Sequence, residues 1–123
     1  MIYAMTTATT QQPSLVVHSS MNVSEDNGLK IDFVHMKKAA MILRAMNHKL
    51  RQQMIKLLDE NKKMTVTDIY VKLPLEQSVA SQHLAILRRA GIVITERDGK
   101  FIYYAVNYNR ISEVNEFVND LVG

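Results

Sequence analysis

At Gly91 the apolar periodicity of this chain changes from helical to alternating, and that switch constrains the fold more than any other feature. Upstream, Ala80, Leu84 and Leu87 recur at i, i+4, i+7, so the spacing predicts a helix over about residues 76–90. Glycine is the usual residue just past a helix C-terminus, because it takes a left-handed backbone without steric cost. Downstream, Ile92-Val93-Ile94-Thr95-Glu96-Arg97 and Phe101-Ile102-Tyr103-Tyr104-Ala105-Val106 are rich in β-branched and aromatic residues, the signature of two strands. Asp98-Gly99 between them favours a tight hairpin turn, with Arg97 and Lys100 flanking its tip.

Everything before this switch that has a pattern is helical. From Ile31, the residues Phe33, Met36, Ala40 and Leu43 form one apolar stripe, while Val34, Met41 and Ala45 lie toward a neighbouring face. A helix with two apolar faces usually meets a second element or a second subunit. Asn47-His48 is a cap, followed by a second helix with Leu50, Met54, Leu57 and Leu58 inside and Arg51, Gln52, Lys56, Asp59 and Glu60 on the wet side. Thr65-Val66-Thr67-Asp68 has the form of a capping box opening a short third helix, which Pro74 stops. The last helix begins at about Asn109; Ile111, Val114, Val118 and Leu121 repeat 3-4-3, and Phe117 and Val122 widen the stripe. The expected class is mainly α with a β-hairpin (α+β), in the order ααααββα.

Composition narrows the function. The chain of 123 residues contains no cysteine, which excludes disulfides, thiolate metal sites and cysteine redox switches. No apolar run reaches bilayer length, and the first Lys or Arg is Lys30, so a secretory leader is not expected and the location expected is cytoplasmic. Residues 1–29 hold only the acids Glu25 and Asp26 among their charges and read as a disordered tail; residues 30–123 form one domain. That domain carries all 15 Lys and Arg against the remaining 10 acids, an excess suited to an acidic partner. There is no nucleophile elbow, phosphate loop, metal-ligand spacing or paired carboxylate on one face, so an enzyme is not expected.

A short helix, a tight turn and a second helix with a polar outer face make a helix-turn-helix. The outer face of the fourth helix is Gln77, Ser78, Ser81 and Gln82, short neutral hydrogen-bonding residues where a merely solvated face would carry Lys and Glu. Gln pairs bidentately with adenine in the major groove, and Ser bonds either way. Arg97 and Lys100 suit phosphates or a minor groove. His83 joins this set, with packing or a phosphate hydrogen bond as its role. The competing reading is a protein-interaction module without DNA binding, but that would favour acids or large apolar residues on the fourth helix. The one acid there, Glu76, stands at the helix start, where the dipole favours it.

Four segments in this order and spacing resemble the winged helix-turn-helix repressors of the ArsR/SmtB type. They are Asn47-His48-Lys49-Leu50-Arg51, Gln77-Ser78-Val79-Ala80-Ser81-Gln82-His83-Leu84, Leu87-Arg88-Arg89-Ala90-Gly91-Ile92-Val93 and Gly99-Lys100-Phe101-Ile102-Tyr103-Tyr104. The resemblance implies a homodimeric repressor reading an inverted-repeat operator, with the helix around 76–90 in the major groove and the 92–106 hairpin as wing. It also implies dimerisation through the first and last helices, giving Val34, Met41, Ala45, Ile111, Val114, Phe117, Val118 and Leu121 as interface residues. Many members hold metal through a Cys-x-Cys pair in the third helix; Thr65 and Thr67 stand there instead. At a second metal site of the family, Asp-x-His is replaced by Tyr108 and Arg110. No metal and no cofactor are therefore expected. The partners expected are double-stranded DNA, a second copy of the chain and an effector of unassigned chemistry, with no membrane.

Overall fold

The computed structural model describes residues 28–123. The tail expected over residues 1–29 therefore falls, except for Gly28 and Leu29, outside the described residues. The elements are α1 (Phe33–Met46), α2 (Lys49–Asn61), α3 (Val66–Lys72), α4 (Gln77–Arg89), β1 (Val93–Asp98), β2 (Phe101–Val106) and α5 (Tyr108–Val122). This is the mainly α, α+β order ααααββα that the periodicity predicts. Met64 adds a short bridge to Tyr104 on the free edge of β2, a pairing the pattern does not announce.

Local chemistry sets the boundaries. The Asp32 carboxylate caps α1 by accepting from the His35 N–H. His48 caps α2 through Nδ1, which accepts from the Leu50 N–H at 3.2 Å. At α3 the capping box closes both ways: the Asp68 N–H donates to Thr65 Oγ1 and the Thr65 N–H donates to the Asp68 carboxylate, each at 3.1 Å. Gly91 ends the α4 region with φ +75°, a conformation open to glycine. The last helix starts one residue earlier than its apolar stripe indicates, because Asn107 caps it by accepting from the Arg110 N–H.

One core joins these elements. Met54 and Leu58 of α2, Ile69 of α3, Ala80, Leu84 and Leu87 of α4, and Ile92 and Val93 at the start of the hairpin are fully buried. Each of these side chains larger than alanine contributes about 1.5–3 kcal/mol relative to exposure. Tyr104 packs on this core, while Tyr103, on the opposite face of β2, lies under the Lys63 ammonium at 4.9 Å.

Two expectations are corrected and one open alternative is settled. Ala45 is 3% exposed and belongs to the protomer's own core, so it is not available to an interface. Of the two apolar faces of α1, the side that meets the core is Ile42, Ala45 and Met46, while Phe33 and Met36 are exposed. Arg51, expected on the wet side, is buried at 8% exposure. Its spacing to Met54 and Leu58 is i, i+3, i+7, so the helical period itself carries Arg51 inward.

Candidate nucleic-acid interface

The exposed face of α4 rests on a fixed floor. Ala80, Leu84 and Leu87 are fully buried, and α3 packs against α4 through Ile69 with only residues 73–76 between the two helices. On the opposite side of α4 the structure brings Gln77, Ser78, Ser81 and Gln82 together, all exposed and none bonded to another described side chain. Glu76 is the residue before the helix and makes no side-chain cap, leaving the first-turn N–H groups of α4 open.

The hairpin is antiparallel, with Arg97 opposite Ile102 and Asp98 opposite Phe101. The two-residue loop is thus Gly99-Lys100, one residue beyond the expected Asp98-Gly99. Gly99 has φ +63° at the first central position, as in a type II′ turn, so Lys100 forms the tip. Arg97 and Lys100 are both exposed. Phe101 is 48% exposed beside them, with the Lys100 ammonium 5.5 Å from its ring centre.

His83 stands apart from its four neighbours. It is half-buried, its Nδ1 lies 3.1 Å from an Arg51 terminal nitrogen, and its ring centre is 4.9 Å from that of His48. Arg51 also donates Nε–H to the Ala45 carbonyl at 2.6 Å and its second terminal nitrogen to the Arg44 carbonyl at 3.1 Å. Those carbonyls belong to the last turn of α1, where helix acceptors lack partners and a cation is favoured. Burial first, then the His48 ring and the Arg51 charge, hold the His83 imidazole below its ordinary pKa. The family resemblance puts Arg51 near the DNA backbone, with a structural ion pair as an equal alternative; its partners are two carbonyls and a ring, not a carboxylate, on the inward side that its i, i+3, i+7 spacing signals.

The remaining residues expected at a dimer interface lie on α1 and α5. Val34 and Met41 are exposed, as are Phe117 and Leu121; Ile111, Val114 and Val118 are half-buried. No residue of α5 is fully buried. Phe33 and Met36 on α1, and Tyr108 and Val122 on α5, are further exposed apolar residues.

The donor sets at the family's metal positions do not fit a metal ion. Thr65 Oγ1 is occupied as a helix cap, and a neutral hydroxyl is no thiolate. The Tyr108 hydroxyl donates to Asp59 at 2.6 Å, and Arg110 is a cation that carries no lone pair for a metal. Among the described residues no group of three or more His, Asp or Glu side chains converges on one point. No helix among them is long and apolar enough to cross a membrane.

Comparison with known proteins agrees with this geometry. Residues 48–95, from the cap of α2 into β1, match the family model described as bacterial regulatory protein, arsR family. An uncharacterised HTH-type transcriptional regulator of Methanocaldococcus jannaschii is 36% identical over 85 residues, covering 69% of this chain and 96% of the relative. The transcriptional activator HlyU of Vibrio cholerae is 33% identical over 84 residues, covering 68% of this chain and 77% of HlyU. The crystal structure of the transcriptional repressor PagR of Bacillus anthracis superposes with a TM-score of 0.58 at 29% identity, covering 70% of this chain and 98% of PagR. These relatives are transcriptional regulators and not enzymes. A winged helix-turn-helix with this match and these relatives places the chain in the arsR family of DNA-binding bacterial transcription regulators.

Proposed function

We propose that the chain is a homodimeric repressor that reads an inverted-repeat operator with α4 in the major groove and the β1–β2 hairpin as wing. The observation that carries this reading is the α4 face of Gln77, Ser78, Ser81 and Gln82, exposed on a buried floor of Ala80, Leu84 and Leu87. Neutral hydrogen-bonding side chains on a rigidly seated helix suit base edges, whereas charged ones would suit backbone alone. Arg97 and Lys100 add phosphate contacts. His83 contributes from the edge of the same face.

The uncovered apolar residues of α1 and α5 support pairing about a two-fold axis. Contiguous apolar patches beyond a few hundred Å² are uncommon on monomers. Pairing through Val34, Met41, Ile111, Val114, Phe117, Val118 and Leu121 sets two α4 helices about 34 Å apart, one turn of DNA. A dimer seated on a promoter would repress by occluding it. Its setting is the cytoplasm, and operator binding is indifferent to metals.

The test recovers bound fragments from sheared genomic DNA and footprints the tightest one. An inverted repeat with half-sites one turn apart is expected. Gln82→Ala should cost about 1–3 kcal/mol on that site and little on random duplex. Equal loss on both duplexes would reassign Gln82 to the phosphate backbone, and a footprint without two-fold symmetry would remove the dimer.

A further inference from the structure

We propose that Arg51 is a positioning residue for DNA recognition: from within the core it holds His83 as the Nε2–H tautomer, leaving that N–H as a fixed donor to a DNA oxygen. The proposal rests on the reading of α4 as the DNA-facing helix.

A guanidinium has five N–H donors and no acceptor. In the 3.1 Å contact between Arg51 Nη1 and His83 Nδ1, Arg51 therefore donates and Nδ1 accepts. A neutral imidazole that accepts at Nδ1 carries its proton on Nε2. The guanidinium cannot swing away, because the Ala45 and Arg44 carbonyls at the end of α1 accept from its other two nitrogens. Its planar fork thus converts the position of α1 into the orientation of one ring on α4.

His83 Nε2 has no partner among the described residues, and it is not one of their buried, unpaired polar atoms; it reaches solvent. It does so from the residue next to Gln82. Most protein–DNA hydrogen bonds go to phosphate oxygens, and a neutral donor of fixed direction suits one.

The same geometry sets a pH limit. The groups facing His83 are Arg51 and His48, from α2 and its cap, while α1 contributes only the two carbonyls that hold Arg51. Both of the facing side chains disfavour a charge on His83, as does its burial. A proton on Nδ1 would set N–H against N–H and abolish the contact. Since the folded pKa is lowered, the arrangement is complete above the ordinary value of 6.5 and is lost as pH falls through the lowered one.

The experiment uses the full chain, the tightest genomic fragment it recovers, and a random duplex of equal length. In the free protein, long-range imidazole ¹H–¹⁵N correlation at about pH 7.5 should report His83 as the Nε2–H tautomer. On acidification the same spectra should show His83 taking its second proton below the ordinary value of 6.5, with loss of the Arg51 contact. His83→Asn places Oδ1 where Nδ1 accepts and cannot titrate. It keeps an acceptor for Arg51 but has no N–H at the position of Nε2, so at pH 7.5 it should weaken the fragment and the random duplex alike, by about tenfold, and leave the preference between them unchanged. Arg51→Met removes the donor to Nδ1, and should allow both tautomers and lower the affinity for both duplexes at pH 7.5; if it does not fold, the tautomer and His83→Asn decide the matter. An Nδ1–H tautomer in the wild type, or undiminished affinity of folded His83→Asn for both duplexes, would overturn the proposal. Absence of any preferred fragment would instead remove the DNA reading of α4, and the tautomer measurement, which needs no DNA, separates the two failures.

Discussion

Arg97→Ala should lower the steepness with which operator affinity falls with salt, by an amount that also counts protomers. Arg97 pairs opposite Ile102, on the strand face that Thr95 and Val93 share. Glu96 and Asp98 adjoin it in sequence but point to the other face, because successive strand side chains alternate. The ion pairs among the described residues are His35–Asp32, Lys62–Asp59 and Arg110–Glu113, so neither Arg97 nor Lys100 is held by a carboxylate there. An exposed cation of that kind neutralises a phosphate in full and contributes about 0.9 to the slope of log affinity against log salt. A two-fold dimer brings two copies, so one substitution should lower the slope by about 1.8. Over a fourfold rise in salt, from about 50 to 200 mM, the wild type then loses about twelvefold more affinity than the variant. Fluorescence anisotropy with labelled operator across a salt series measures this, with an unfolding curve to show that the variant is folded. Lys100→Ala should behave alike. An unchanged slope in both variants would take the wing off the phosphates, and a change near 0.9 would mean that one wing engages per complex.

Three further outcomes test other parts of the structure. Val118→Glu should yield folded monomer by sedimentation and abolish operator binding with every residue of the α4 face intact; a dimeric variant with full affinity would move the seam elsewhere. Gly91→Ala should cost about 1–2 kcal/mol of stability in urea unfolding, since alanine disfavours the left-handed backbone, φ is +75° here, and the new Cβ would lie 3.2 Å from Arg110 Nε. An unchanged midpoint would contradict that conformation. Zinc, cadmium and arsenite at low micromolar levels should leave operator affinity unchanged; stoichiometric binding that releases DNA would reveal donors other than Thr65, Thr67, Tyr108 and Arg110.

Wherever a local rule had one solution, the sequence was legible. The stripe Ala80, Leu84 and Leu87 can face only a core, and it does. Thr65 and Asp68 close the capping box because both partners lie within one turn. The hairpin was legible as a hairpin but not in its register: Asp-Gly and Gly-Lys each supply a glycine for a two-residue turn, and the Met64 bridge on the far edge of β2 is a long-range contact. Periodicity gave α1 two apolar faces without saying which met its own chain; Ile42 and Ala45 turned inward, while Phe33 and Met36 stayed open. Arg51 was legible as a residue with a role but not in its burial or its partners. Its burial depends on carbonyls of α1 and a ring on α4, 32 residues away from it in the chain, and composition carries no trace of either.

The helices with uncovered apolar faces are also those that hold α4 in place. At the middle of α4, Arg51 ties His83 to the last carbonyls of α1. At its C-terminal end, Asn107 donates its side-chain amide to the Gly91 carbonyl at 3.0 Å and its backbone N–H to the Ile92 carbonyl at 2.9 Å, while its Oδ1 caps α5. The reading helix is thus anchored to the root of α1 and to the root of α5 by polar contacts of defined direction, on top of its apolar floor. Apolar packing alone tolerates small slides of one helix over another, whereas a hydrogen bond weakens steeply once its angle degrades. These polar ties therefore make the orientation of α4 depend on where α1 and α5 lie. Any contact that fixes those two helices fixes the angle at which Gln77, Ser78, Ser81 and Gln82 are presented.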